Sequence, residues 1–106
     1  MKRVRLRFSG FDWDEGNIEK CGKHGVTLAE IERMLETPVL LVDDPAHSAT
    51  EIRQCAIGAT EAGRDLFVSF TLRERAGRSL VRPISARYMH RPEVNRYGQT
   101  PSRSDQ

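Results

Sequence analysis

DLFVSFTLRERAGRSLVRPISARYM, running from Asp65 to Met89, holds two apolar-rich runs on either side of Arg75-Ala76-Gly77-Arg78. This predicts a β-hairpin, because strand side chains alternate and a short glycine-containing turn separates the runs. In the first run Leu66, Val68, Phe70 and Leu72 share one face, and Phe67, Ser69, Thr71 and Arg73 share the other. In the second, Leu80, Arg82, Ile84 and Ala86 alternate with Val81, Pro83, Ser85 and Arg87. Arginines are thus planted inside strands, and a function has to explain them.

Upstream, Val39-Leu40-Leu41-Val42 reads as a short apolar strand and Glu51 to Gly58 as another, with turns at Asp43-Asp44-Pro45 and Thr60-Glu61-Ala62-Gly63. Thr27 with Glu30 forms a capping box, and Val26 with Ile31 occupies the positions of a hydrophobic staple. The helix they open buries Leu28, Ile31 and Leu35 and ends at Thr37-Pro38. A shorter helix starts near Asp14-Glu15 and is closed by Lys23 and His24, with Gly25 as a left-handed cap. Phe11-Asp12-Trp13 is expected as a short strand with both aromatics on one face, and Arg3 to Arg7 as an edge strand or a basic arm. Pro92 to Gly98 is expected as a helical stub, and 99–106 as a polar, disordered tail. The expected fold is α+β: a small antiparallel sheet of about four main strands in a meander, with two N-terminal helices packed on one face. Residues 1–98 form a single domain in this reading.

With 106 residues the chain has room for one modest core. No apolar run is long enough to cross a membrane, and the basic start has no apolar segment behind it, so a cytoplasmic location and no membrane partner are expected. Cys21 and Cys55 make no CxxC pair and read as small hydrophobes rather than a disulfide. The net charge of +2 is unevenly spread: the first ten residues carry four basic groups and no acids, whereas 73–106 carry eight arginines against three acids. A basic end on an acidic middle suits a polyanion on one surface and a basic or mixed partner on another, although scattered arginines on a solvated face give the same charge pattern.

Arg53, Arg73, Arg82 and Arg87 lie on or beside three successive strands. Two readings stand for them. Converging guanidinium groups can grip a phosphate and stabilise a pentacoordinate transition state, or each can pair with Glu51, Glu74 or another neighbouring acid. His24, His47 and His90 titrate near neutrality; His24 suits a helix C-terminus, while His47 leads into the Arg53 strand and His90 follows the Arg87 strand. Their spacing supports no metal site, and no cofactor motif is present. Trp13 suits either core packing or stacking on a base beside a basic groove, and Tyr97 either anchors the last turn or places a phenol near the site. A plain DNA-binding domain is disfavoured, since the helix over Thr27 to Glu36 is acidic.

Phe11-Asp12-Trp13-Asp14, Lys23-His24-Gly25-Val26, His47-Ser48 with Glu51 and Arg53, Ile57-Gly58, Gly63-Arg64, Phe70-Thr71 with Arg73, and Ile84-Ser85-Ala86-Arg87 together resemble the BrnT family of type II toxins. The strings occur in the family's order from Phe11 to about Tyr97. The resemblance implies a RelE-like fold and a ribonuclease that blocks translation. It also implies a BrnA-type ribbon-helix-helix antitoxin, a toxin–antitoxin heterotetramer, and contact with DNA only indirectly, through that antitoxin. Carried over by position, Arg53, Arg73 and Arg87 are the expected phosphate-holding residues; the reading of the residues themselves adds His47 or Glu51 as proton carrier and Arg82, His90, Trp13 and Tyr97 as RNA-binding neighbours. The expected reaction is metal-independent cleavage by attack of a 2′-hydroxyl on the adjacent phosphate. Two departures stand out: Pro83 replaces a usual β-branched residue and suits an edge or a bulge, and Pro92 and Gly98 shorten the last helix. The competing class is a toxin-fold module that binds antitoxin or RNA without cleaving.

Overall fold

The hairpin forms the larger part of a sheet. A computed structural model of the chain describes residues 2–43 and 53–90, and within these the element order is β1 (Arg3–Val4), β2 (Gly10–Phe11), α1 (Glu15–Gly22), α2 (Leu28–Leu35), β3 (Val39–Asp43), β4 (Gln54–Ala59), β5 (Asp65–Arg75) and β6 (Arg78–Tyr88). His47, Glu51, Tyr97, the expected stub and the expected tail lie outside the described residues. The architecture is α+β, with six strands in the order β1-β3-β4-β5-β6-β2.

The central meander is antiparallel throughout. Between β5 and β6, Ala76 and Gly77 take φ of 52° and 77°. These are the paired positive angles of a type I′ turn, whose twist matches that of the flanking strands. Both N-terminal pieces join the four-stranded meander and bring the sheet to six strands among the described residues. Arg3–Val4 lies antiparallel on β3, while Gly10–Phe11 lies parallel to β6 at Leu80 and Val81. Asp12 and Trp13 fall outside that second strand, which is too short to show an alternation.

One register shift corrects the expected faces of β6. Ser69 stands opposite Ser85, but Phe70 stands opposite Pro83, so Ile84 is the extra residue of a bulge. A bulge leaves one residue unpaired and re-aims those beyond it. Pro83, which cannot donate to a ladder, sits where the ladder is interrupted. As a result Ala86, not Ser85, joins Val81 and Pro83 on the core face, and Arg82 and Arg87, expected on opposite faces, come to the same one.

The core lies between that face and the helices. Cys21 of α1 and Ile31, Met34 and Leu35 of α2 cluster with Val39, Ala56, Leu66, Val68, Phe70, Val81 and Ala86. Eight-residue helices are marginal alone, so this burial holds them. Thr27 Oγ1 accepts from Glu30 N while Glu30 Oε1 accepts from Thr27 N, which closes the expected capping box. Asp14 and Asn17 make a second one on α1. Gly58 lets α2 approach closely: a Cβ there would stand 2.8 Å from Met34 Cγ. Leu72, on the same face as Leu66, Val68 and Phe70, is 49% exposed, because β5 continues there past its last pairing with β4.

Candidate functional site

The other face of the sheet follows from the same registers. Cross-strand partners share a face, so Val42 and Cys55, Leu40 and Ile57, Phe67 and Arg87, Ser69 and Ser85, Thr71 and Arg82, and Arg73 and Leu80 all point away from the helix-side cluster. Leu40, Ile57 and Met89 form a small apolar cluster at one end, flanked by Val42 and Phe67. Arg53 directly precedes β4, whose pairing with β5 begins at Gln54 opposite Phe70.

The four arginines divide into two groups. Arg73 and Arg82 flank Thr71 and are diagonal neighbours at about 7–8 Å between Cα atoms, while Arg53 directly precedes β4. Arg87 lies beside Phe67, six residues back along β5 from Arg73, or roughly 20 Å of strand. Arg73 and Arg87 are therefore too far apart to grip a single phosphate. The Arg87 guanidinium lies 4.6 Å from the centre of the Phe67 ring, a cation–π contact.

Arg82 has acidic company. Its Nη1 is 3.0 Å from Asp14 Oδ2 and 3.7 Å from Asp12 Oδ1, and Asp12 Oδ2 lies 3.6 Å from Arg75 Nη2. The hydrogen bond from Arg82, then that from the Asn17 backbone, hold the Asp14 carboxyl below its ordinary value. Asn17 is itself buried and donates through Nδ2 to the carbonyls of Asp12 and Pro83. The loop entering α1 is thereby fastened to the bulge of β6. Glu74, expected as an arginine partner, accepts from Ser79 Oγ.

Other expected residues sit elsewhere. Trp13 packs against the helix-side cluster and its Nε1 donates to Glu32 Oε2 at 2.8 Å, which sets it on the opposite side of the sheet from the arginines. His90 is exposed beyond the end of β6. Lys23 is the C-cap of α1, with Gly25 following at φ 86°. Burial pushes the Cys21 thiol up to about 11, which keeps it protonated at neutral pH. Among the described residues no three His, Cys, Asp or Glu side chains gather as metal ligands.

Sequence reasoning passed over Ser69 and Thr71. Both are buried, at 6% and 1% exposure, on the same face as the arginines. The available signal was the row Ser69, Thr71, Arg73, polar at every second position of an otherwise apolar strand. Asp12 and Asp14 were also missed as arginine partners, since their pairing with Arg82 spans most of the chain.

The family model of the ribonuclease toxin BrnT, of type II toxin–antitoxin systems, matches residues 13–93. The chain belongs to the BrnT family. No curated protein matches it. Membership makes the chain one of a family of ribonuclease toxins, with an antitoxin as partner and RNA as target. Arg53, Arg73, Arg82 and Arg87 of this BrnT chain, together with Ser69 and Thr71, fall inside the matched residues. Among the described residues no helix is long and apolar enough to cross a membrane.

Proposed function

We propose that this BrnT protein is a metal-independent endoribonuclease whose substrate lies on the sheet face opposite the helices. The observation that carries the reading is the common face of Arg73, Arg82 and Arg87, with Arg53 directly preceding β4 in the chain. Arg53 and Arg73 hold the scissile phosphate, Arg82 stands beside them, and Arg87 engages the strand farther along, where it is stacked on Phe67. A base takes the proton of the 2′-hydroxyl, the O2′–P bond forms, the P–O5′ bond breaks, and the 5′-oxygen leaves with a proton. Guanidinium groups stabilise the charge that accumulates on the phosphate oxygens during this step. His47 or Glu51, in the segment leading to Arg53, serves as the proton carrier.

Cleavage of this kind in cytoplasmic RNA inhibits translation in a RelE-like manner. A BrnA-type ribbon-helix-helix antitoxin neutralises the toxin in a heterotetramer and supplies the contact with DNA.

The test is induced expression of the intact chain and of Arg53→Ala, Arg73→Ala and Arg87→Ala, matched for soluble protein, with growth and total RNA followed together. The intact chain is expected to stop growth and degrade RNA, and the folded variants to lose both effects. An intact, folded chain that leaves growth and RNA unchanged overturns the catalytic reading in favour of a binding module without cleavage.

A further inference from the structure

The buried hydroxyls of β5 extend the arginine site. Among the described residues, Ser69 Oγ and Thr71 Oγ1 are buried and have no hydrogen-bond partner. Leaving a buried polar group unpaired is costly, so a pair on one strand calls for an explanation. A valine at position 71 would have the shape of threonine, suit a strand at least as well, and leave no polar atom unsatisfied.

Their surroundings indicate what would satisfy them. Thr71 faces Arg82 across the ladder and stands two residues from Arg73 on the same face. Ser69 faces Ser85, another hydroxyl residue, and lies between Thr71 and the Phe67–Arg87 contact. Residues alternating along one face repeat every ~6.6 Å, so the row bridges the two arginine groups in steps. A hydroxyl donates to an anionic oxygen as readily as a guanidinium does, and it adds direction that a long flexible cation lacks.

We infer that Ser69 and Thr71 are RNA-backbone ligands, whose hydroxyls donate to phosphodiester oxygens as the strand passes from the Arg53–Arg73 end of the face to Arg87. The inference rests on the proposed substrate face, and it adds the ligands between the cations. It also accounts for buried hydroxyls that have no partner among the described residues: the orientation that would satisfy them is kept for the substrate.

The measurement uses the full chain and a fluorescent single-stranded RNA carrying 2′-deoxy sugars throughout its central segment, so that binding is read without cleavage. Thr71→Val is expected to weaken binding about tenfold or more, as for loss of a hydrogen bond to a charged group, while the unfolding midpoint stays level or rises. Thr71→Ser, which keeps the hydroxyl, is expected to bind like the intact chain, and Ser69→Ala to weaken binding as Thr71→Val does. Arg73→Ala is measured in parallel.

If Arg73→Ala weakens binding while Thr71→Val and Ser69→Ala do not, the substrate face stands and the hydroxyl inference is overturned. A lowered unfolding midpoint for Thr71→Val overturns it too, because the hydroxyl would then be serving the fold. If the intact chain and Arg73→Ala bind equally, or neither binds, the substrate face itself is wrong and the inference falls with it.

Discussion

The two faces of strand β5 are built for different ends, although their residues alternate along one backbone. Leu66, Val68 and Phe70 point to the helices and are fully buried among aliphatic neighbours. Phe67, Ser69, Thr71 and Arg73 point the other way, into a mixture of one aromatic ring, two hydroxyls and a guanidinium. The first face is satisfied by burial alone, since apolar contact asks nothing of direction. On the second, the buried hydroxyls of Ser69 and Thr71 have no hydrogen-bond partner among the described residues, which burial cannot explain. Burial and function are therefore separable on this strand, residue by residue.

Phe70→Ala is the strongest way to challenge that separation. Removing a fully buried aromatic side chain leaves a cavity under both helices and should cost about 3–5 kcal/mol in a urea unfolding measurement. Arg73→Ala, three residues on and facing the other way, should shift the same transition far less. If the two variants destabilise equally, the second face is part of the core and the division of labour is wrong.

A smaller effect is expected at Gly58. An alanine there would bring Cβ to 2.8 Å from Met34 Cγ, 2.9 Å from Met34 Sδ and 3.3 Å from Val39 Cγ1. Methionine is flexible enough to move aside in part, so Gly58→Ala should cost about 1–3 kcal/mol rather than abolish folding. Because Met34 belongs to the helix side, RNA binding by the folded fraction should be unchanged. Weakened binding at full folding would mean that α2 and the opposite face are mechanically coupled.

Much of the helix-side face was legible in the sequence because its signals are local. Thr27 and Glu30 are three residues apart and make the bonds their spacing predicts. Arg75 to Arg78 marked the hairpin, and Gly25 takes the positive φ expected of it. The opposite face depended on contacts that no local pattern encodes. Pro83 pointed to a bulge, yet only the pairing shows that Ile84 is the extra residue, and that single step carries Arg82 and Arg87 to the same face. The Asp12 and Asp14 contacts with Arg82 join residues about 70 positions apart. Gly10–Phe11, with two residues, is too short for a periodicity to reveal its parallel pairing. His47 and Glu51, central to the sequence-based mechanism, lie in 44–52, outside the described residues.

The smallest expected effect tests whether polar groups on the helix side serve the fold rather than chemistry. Arg87 and Tyr88 are adjacent on β6 and point to opposite faces. Tyr88 donates its hydroxyl to Glu30 Oε1 at 2.7 Å, and Arg64 lies 3.6 Å from the centre of its ring. The Thr27 backbone hydrogen bond, followed by the one from Tyr88, holds Glu30 below its ordinary 4.5, and the same contact with Glu30 raises Tyr88 above its ordinary 10.0. A carboxyl lowered by folding contributes stability that is present above its unfolded value and lost as pH falls through its folded one. A phenol raised by folding contributes below its unfolded value and loses that contribution as pH rises through its folded one. Tyr88→Phe keeps the ring under Arg64 and removes only the hydroxyl. The stability difference between the intact chain and this variant should therefore be flat between about pH 5 and 9, and should shrink on both the acid and the alkaline side. RNA binding should be unchanged across the plateau. A variant that unfolds normally but binds RNA poorly would show that Tyr88 reaches the substrate, and the assignment of structure to one face and chemistry to the other would fail at this residue.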